Sequence, residues 1–262
     1  GWRVAGYDST GITDVDGVLH MARVRKSRSY LPEMIEFQAR RGAYAMSVEA
    51  FVGMLGAGLY ADVEVDTAVC TGLESDHLDV HGSLEQYWEA KLALFRTHLR
   101  PDGVAVMAVD CAQGDRVAAA VADRGARLVR VGAGGDVRLI DVRPDGQRLR
   151  GRLVIDGDVI PVNLPFTHKV AVTNALLGAV AVIGAGGPVA AVTDALSRLK
   201  APPGRLERVG AVGGVTVMVD TAHNPGALRA ALTTVKEQTE GRLILVFGAG
   251  GERDRSKRPE MG

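Results

Sequence analysis

One short run of the sequence gathers several side chains that can bind a metal ion. The segment 71–82, Thr-Gly-Leu-Glu-Ser-Asp-His-Leu-Asp-Val-His-Gly, holds two histidines and two aspartates within six residues, and Lys91 follows His77 by fourteen positions. The segment begins where an apolar strand, 65–70, is predicted to end. Imidazole and carboxylate groups at the carboxyl end of a strand suit a divalent cation together with a phosphate-bearing ligand. A polar loop that only caps the helix carrying Lys91 explains the spacing equally well.

The composition excludes several classes of protein. The chain has 262 residues, with 31 basic and 31 acidic side chains, so its formal net charge is zero and it lacks the electrostatic footprint of a nucleic-acid-binding protein. Aromatic residues make up 5% of the chain, which gives few platforms for base stacking. The longest apolar run, 170–184, is too short to span a membrane. We therefore expect no nucleic-acid and no membrane partner, and a cytoplasmic protein.

The two cysteines do not make a disulfide framework in a chain of this size. Cys70 and Cys111 each lie at the end of an apolar, strand-like segment. We expect each of them to act as a small buried hydrophobic residue.

Strand-like and helical patterns alternate through the first half of the chain. Strands are predicted at Arg3–Tyr7, Ala45–Glu49, Asp66–Cys70, Gly103–Val109 and Arg127–Val131, and helices at Pro32–Arg41, Leu84–His98 and Gly114–Arg124. This order predicts an α/β fold, with a mostly parallel sheet flanked by helices on both faces. From 137 to 163 apolar and polar residues alternate between Gly-Asp and Asp-Gly turns, which predicts an antiparallel extension of the sheet.

A second domain is predicted to begin near residue 203. The helices Val170–Ile183 and Pro188–Leu199 are followed by Ala-Pro-Pro-Gly at 201–204, which breaks the chain. A strand at Thr216–Asp220, a helix at Pro225–Gln238 and a strand at Leu243–Phe247 then predict a new βαβ unit. We therefore divide the chain into a domain over 1–202 and the start of a second, Rossmann-like α/β domain over 203–262.

Three Gly-Ala-Gly-Gly tetrads, at 132–135, 184–187 and 248–251, do not fit a phosphate loop or a dinucleotide-binding fingerprint. The first two are expected to form a turn and a helix end. The third follows an apolar segment and leads into Glu-Arg-Asp-Arg-Ser-Lys-Arg at 252–258. That charged run either grips an anionic ligand or forms a solvated surface.

Four segments together resemble the Mur ligases, ATP-dependent enzymes that add amino acids to the peptide of cell-wall precursors. They are 76–82 continued through 90–95, 203–207, 220–225 and 247–259. Their order and spacing are closest to the tripeptide synthetase branch of the family, and the resemblance covers most of the chain. It implies the central ATPase domain of a Mur ligase followed by the beginning of its C-terminal domain. It also implies an ATP- and Mg²⁺-dependent enzyme that forms a peptide bond through an acyl phosphate during peptidoglycan precursor synthesis.

The resemblance implies a group of residues that would bind Mg²⁺, called here the metal side of the site. By this analogy His77 and Glu49 are magnesium ligands, and Lys91 is the lysine that family members carbamoylate. Carbamoylation would convert a cation into a carboxylate-like group that supports a second magnesium ion. An ordinary solvent-facing lysine is the alternative for Lys91.

The resemblance also implies a group of residues that would bind ATP, called here the nucleotide side of the site. Asn174 matches the asparagine that contacts adenine, Arg205 an arginine near the phosphates, and Asp220 an aspartate that accepts hydrogen bonds from the ribose hydroxyls. His223 and Asn224 fall in the adjoining loop. Asn174 could instead cap its helix, and Asp220 and Asn224 could shape a strand-to-helix turn.

The sequence departs from the family pattern on the acceptor side and at both ends. Tyr30 and Phe51 stand where the tripeptide synthetases carry hydroxyl side chains, and Gly72 stands in place of an asparagine. No Gly-Lys-Thr-type phosphate loop precedes Trp2, so we expect both ends to be cuts through a larger protein and the 262 residues alone to be inactive. The expected substrates are a nucleotide-sugar peptide, or another carboxylate, and an amino acid. Two alternatives stay open: a Mur-like ligase whose acceptor is a secondary metabolite or a polyamino acid, and a non-catalytic relative that binds nucleotide.

Overall fold

The computed structural model of the chain describes residues 2–9, 11–20, 27–60, 62–72, 83–146, 148–200, 202–249 and 258–262. The chain divides into two compact units. The first comprises 1–68, 80–105 and 115–127, and the second comprises 69–79, 106–114 and 128–262.

A mixed four-stranded sheet lies in the first unit. Its strands are β1 (Val4–Asp8), β2 (Gly11–Thr13), β3 (Leu19–His20) and β4 (Ala45–Val48), in the order β3-β2-β1-β4. Strand β1 is parallel to β4 and antiparallel to β2. The predicted strands β1 and β4 are confirmed to within one residue. The sequence did not predict β2 and β3, because strands of three and two residues are too short to show an alternating pattern.

The core of this unit forms where β1, α1 (Tyr30–Arg40) and α2 (Val52–Gly56) meet. The buried side chains of this cluster are Tyr7, Leu31, Met34, Met54, Leu55 and Tyr60. On α1, Leu31 and Met34 are three residues apart and so lie on one face of the helix. Leu94, which follows Lys91 by three positions, packs against the same cluster.

A parallel three-stranded sheet carries the βαβαβ pattern. Strands β5 (Val65–Cys70), β6 (Leu99–Ala108) and β7 (Arg127–Val131) follow one another in that order. Helix α3 (Leu84–Ala93), continued by a π-helical turn (Leu94–His98), connects β5 to β6, and α4 (Gly114–Arg124) connects β6 to β7. The α/β class is thus confirmed. The parallel strands are divided between two sheets, with β4 and β5 each at an edge, because the alternation of elements does not specify which strands pair.

The predicted antiparallel meander is confirmed in the second unit, but among the described residues it forms a sheet of its own and does not extend the parallel sheet. Strands β8 (Arg138–Asp145), β9 (Arg148–Ile155) and β10 (Asp158–Leu164) form a meander in the order β10-β9-β8. The two-residue turn between β9 and β10 has positive φ at both Asp156 (49°) and Gly157 (88°). This is the geometry for which an Asp-Gly turn is suited.

The remaining elements are α5 (Lys169–Gly184), α6 (Val189–Leu196), β11 (Glu207–Val212), β12 (Val215–Val219), α7 (Pro225–Glu237) and α8 (Arg258–Met261). Strands β11 and β12 form an antiparallel hairpin through Gly213 and Gly214, both at positive φ. The sequence missed β11, whose pairing is interrupted by a register shift before Gly210.

The strand predicted at Leu243–Phe247 is not formed, and this segment has no regular secondary structure. In the part of the chain that the structure describes, β12 pairs with β11 and the 243–247 segment has no strand to join. Val246 is accordingly 93% exposed. No helix among the described residues is both long and apolar enough to cross a membrane.

Candidate functional site

Glu49 is held at the carboxyl ends of the two parallel strands β1 and β4. Its N–H donates to the carbonyl oxygen of Tyr7 (2.7 Å), and its carboxylate Oε2 accepts the N–H of Ser9 (2.7 Å). The residue is exposed. A carboxylate that accepts one N–H keeps further lone pairs for a cation, so Glu49 fits the predicted role of a magnesium ligand.

Tyr60 fixes the backbone on either side of Ala50. Its buried hydroxyl donates to the carbonyl oxygen of Glu49 (3.2 Å) and accepts the N–H of Phe51 (3.1 Å). Burial raises the pKa of Tyr60, and the negative charge of Glu49 adds to that increase. No sequence pattern predicted a role for this tyrosine, which follows Glu49 by eleven residues.

Tyr7 lies beside this bridge. Burial raises its pKa to about 12, with further contributions from Tyr60, Tyr30 and Glu49. Its ring packs edge-on against those of Tyr30 (6.0 Å between centroids) and Phe51 (5.7 Å). Among the described residues its hydroxyl has no hydrogen-bond partner.

Lys91 lies on α3, in the same unit as Glu49. The helix begins at Leu84 and is capped by the hydroxyl of Ser83, which accepts the N–H of Gln86 (3.2 Å). Lys91 is half-buried, with Nζ 4.7 Å from the centroid of the Tyr87 ring, in the arrangement of a cation–π contact. Helix α2, which starts three residues after Glu49, packs against α3. Because α2 follows Glu49 and α3 carries Lys91, two of the three predicted metal-side residues lie on or next to helices that are in contact.

A cluster around Arg116 anchors α3 to α4. The Arg116 guanidinium donates to the carboxylates of Glu85 and Glu89 (both 3.0 Å) and lies 5.0 Å from the Trp88 ring centroid. The hydrogen bond from Arg116 holds the pKa of Glu85 below its usual value. These contacts fix the helix that presents Lys91.

His77 lies outside the described residues, as do 73–82 as a whole. Within the described ranges, no group of three or more histidine, cysteine, aspartate or glutamate side chains is placed to hold a metal ion. Glu49 is therefore the predicted metal ligand whose surroundings are described.

Asn174 is exposed on α5, at the sixth residue of that helix. The alternative that Asn174 caps its helix is wrong, because the helix begins at Lys169 and His168 is the cap. His168 Nδ1 accepts the N–H of Ala171 (3.2 Å). Burial lowers the pKa of His168, against the opposing charge of Asp220, which favours the neutral ring that this cap requires.

Asp110 and Lys169 form an ion pair at the start of the same helix. Lys169 Nζ donates to Asp110 Oδ2 (2.6 Å), and this contact lowers the pKa of Asp110. The sequence predicted neither the capping role of His168 nor the ion pair of Lys169, which is the next residue in the chain.

Two loops bring Arg205 beside Asp220. The N–H of Leu206 donates to Asp220 Oδ2 (2.8 Å), and the N–H of Thr221 donates to the carbonyl oxygen of Gly204 (2.8 Å). Gly204 has φ +66°, and a Cβ there would lie 2.8 Å from Thr221 Cγ2, so this close approach requires glycine. Asp220 Oδ1 also accepts the N–H of Ala222 (2.7 Å). Asp220 therefore shapes this turn, the alternative that the sequence left open, while each carboxylate oxygen retains a second lone pair.

Asn224 and His223 follow in the same loop. Asn224 Oδ1 accepts the N–H of Ala227 (2.8 Å) and so caps α7, which begins at Pro225. His223 Nδ1 lies 3.0 Å from the carbonyl oxygen of Thr221. The structure thus gathers four of the five predicted nucleotide-side residues at one loop pair, and Asn174 lies elsewhere, on α5.

The chain matches two family models in succession. Residues 19–182 match the Mur ligase middle domain, and residues 204–262 match the Mur ligase glutamate ligase domain. The chain belongs to the Mur ligase family, as the sequence resemblance predicted.

The chain is similar to two curated UDP-N-acetylmuramoyl-L-alanyl-D-glutamate–2,6-diaminopimelate ligases. It is 42% identical to that of Zymomonas mobilis, in an alignment covering 100% of this chain and 55% of the relative. It is 38% identical to that of Bradyrhizobium diazoefficiens, covering 100% and 56%. A solved structure of a ligase with the same name superposes with a TM-score of 0.76 at 29% identity, covering 99% of this chain and 53% of that one. The chain spans about half the length of the curated relatives it matches.

Proposed function

We propose that the protein is an ATP- and Mg²⁺-dependent ligase that joins 2,6-diaminopimelate to UDP-N-acetylmuramoyl-L-alanyl-D-glutamate in the cytoplasm. The observation that carries this proposal is the similarity of the whole chain to relatives named for that ligation. The proposal includes a central domain over 1–202 and the start of the C-terminal domain over 203–262.

The reaction gathers negative charge, and the residues on the metal side are suited to it. The γ-phosphoryl group of ATP is transferred to the acceptor carboxylate, and the amine then displaces phosphate from the acyl phosphate. Bound Mg²⁺ would neutralise the charge of the phosphate oxygens. Glu49 and His77 would hold the metal ion, and the backbone contacts of Glu49 keep its carboxylate at the ends of β1 and β4.

Lys91 would act after carbamoylation. The neutral Nζ amine attacks carbon dioxide, a nitrogen–carbon bond forms, and one proton leaves to give a carbamate anion. This change replaces the ammonium beside Tyr87, which would repel Mg²⁺, with a group that binds it. Lys91→Arg keeps the positive charge and cannot form the carbamate, so ¹³C-labelled bicarbonate should give a carbamate signal in the wild-type protein that this variant lacks.

The nucleotide would lie against the second unit. Asn174 would contact adenine, Asp220 the ribose hydroxyls and Arg205 the phosphates, with His223 and Asn224 in the adjoining loop. Leu206 supports a functional role for this loop, since it adopts φ +47°, a conformation that is costly for a residue other than glycine.

The assay is ADP release by the full-length protein with Mg²⁺, ATP and the two substrates, followed by the mass of the product. We expect release that depends on both substrates. If another carboxylate stimulates the release of ADP, the protein uses a different class of acceptor. If the protein binds nucleotide but releases no ADP, it is a non-catalytic relative.

One observation favours the second candidate, a Mur-like ligase with a different carboxylate acceptor. Phe51, which replaces a hydroxyl side chain of the family pattern, packs its ring on that of Tyr7. The substitution removes a group that could hydrogen-bond a charged acceptor. Competition between acceptors in the same assay separates the two candidates.

A further inference from the structure

The two cysteines meet at the ends of neighbouring strands. Cys70 is the last residue of β5, Cys111 follows β6 by three residues, and their sulfur atoms are 3.4 Å apart although 41 positions separate them in the chain. Both belong to the second unit. The sequence predicted that each would act as a small buried hydrophobic residue. Cys70 is buried as predicted, whereas Cys111 is only partly buried, and the structure brings the two into contact.

The surroundings differ between the two thiols. Cys70 is 4% exposed, whereas Cys111 is partly exposed. The backbone of Cys111 is fixed, because its N–H donates to the carbonyl oxygen of Ala108 (3.1 Å) and its own carbonyl accepts the N–H of Gly114 (3.0 Å). A disulfide bond is about 2.05 Å long, so the sulfur atoms must approach by about 1.4 Å.

We propose that Cys70 and Cys111 are a reversible modification site that exchanges with small disulfides such as oxidised glutathione. The thiolate of Cys111, the more exposed residue, attacks one sulfur of oxidised glutathione, which forms a mixed disulfide and releases one glutathione thiolate. The thiolate of Cys70 then attacks the Cys111 sulfur and releases the second glutathione. Two cysteine thiols are oxidised, one glutathione disulfide is reduced, and the two thiol protons pass to the released glutathiones.

The site is placed where its oxidation can affect the nucleotide side. Cys111 directly follows Asp110, which pairs with Lys169 at the start of α5. The disulfide would tie this turn to the end of β5. Formation of the disulfide rests on the two thiols alone, whereas its effect on the nucleotide side rests on the proposed function.

The test equilibrates the full-length protein in buffers of reduced and oxidised glutathione, followed by acid quenching, alkylation and peptide mapping. We expect a cross-linked peptide pair containing Cys70 and Cys111, the loss of two hydrogen atoms from the mass, and full reversal by dithiothreitol. In Cys70→Ser, the expected product is a glutathione adduct on Cys111.

Cys111→Ser provides the second variant, in which the buried Cys70 should react more slowly than Cys111 does in Cys70→Ser. Circular dichroism of each variant establishes that it is folded. The proposal is overturned if the folded wild-type protein accumulates only glutathione adducts or intermolecular dimers.

Discussion

The hydroxyl of Tyr60 donates a hydrogen bond to the carbonyl oxygen of Glu49 at 3.2 Å. A residue buried in the core thereby sets the backbone of a proposed metal ligand at the surface. The neighbouring Tyr7 has a buried hydroxyl without a described hydrogen-bond partner, which makes the two tyrosines a matched pair for mutation.

Replacing these two tyrosines by phenylalanine should have different effects on stability. Tyr60→Phe leaves the carbonyl of Glu49 and the N–H of Phe51 without the hydroxyl, so we expect it to lower the free energy of unfolding by about 1–3 kcal/mol. Tyr7→Phe removes a hydroxyl that makes no such bond, and it should be neutral or stabilising. Urea denaturation measures both, and equal destabilisation by the two variants would contradict the bridging role.

Glu49→Gln should weaken metal binding, because the amide keeps the shape of the side chain and removes its charge. In the nucleotide-bound protein, we expect the affinity for Mn²⁺, used in place of Mg²⁺, to fall by at least the roughly 10- to 100-fold that the loss of an outer-shell partner costs. Electron paramagnetic resonance of free Mn²⁺ measures this without requiring activity. Glu36→Gln is the control, since Glu36 is an exposed carboxylate paired with Arg40 on α1. Equal Mn²⁺ affinity in both variants would remove Glu49 from the metal site.

The His168 cap should make stability depend on pH. Its pKa is lowered from 6.5 in the folded protein, so below pH 6.5 the unfolded chain takes up the proton more readily and the stability falls with the pH. A protonated Nδ1 can no longer accept the Ala171 N–H. His168→Asn should retain the cap and lose this pH dependence, and His168→Ala should cost about 1 kcal/mol at pH 8. Urea midpoints between pH 5 and 8 compare the three proteins, and parallel pH profiles would refute the assignment.

Gly204→Ala should destabilise the loop that carries Arg205, both through its positive φ and through contact with Thr221. We expect a loss of about 1–3 kcal/mol in the free energy of unfolding. Gly213→Ala measures the cost of positive φ alone, because a Cβ there would meet no atom within 4 Å among the described residues. Adding Thr221→Ser removes the methyl group that the new Cβ would approach. Thermal unfolding of the double variant should recover part of the loss, and no recovery would show that the contact is unimportant.

The sequence predicted the class of fold well because periodicity reports which face of an element is buried. The predicted bounds of α4 and β7 are the same as the observed ones. The sequence could not report which distant residues meet, and so it missed the bridge from Tyr60 to Glu49 and the contact between Cys70 and Cys111. The cap of α5 was assigned to Asn174 as an alternative because asparagine is a common capping residue, whereas histidine is not.

The segment 243–247 is a case in which the sequence predicted an element that the structure does not form. Its residues are apolar enough for a buried strand, but a strand also needs a neighbour to accept its hydrogen bonds. Composition shows whether a segment is apolar enough for a buried strand, but it does not show whether a neighbouring strand is available.

The π-helical turn at Leu94–His98 determines how this region can change in length during evolution. A π-helical turn accommodates one residue more than an α-helical turn, so the chain between Lys91 and β6 has one residue that a continuous α-helix would not need. A deletion inside the turn can therefore be absorbed by conversion to α-helix. A deletion between Ser83 and Lys91 would instead rotate the lysine by about 100° around the helix axis, away from its present face. Length variation among relatives is thus expected to concentrate after Lys91 and to spare the residues before it.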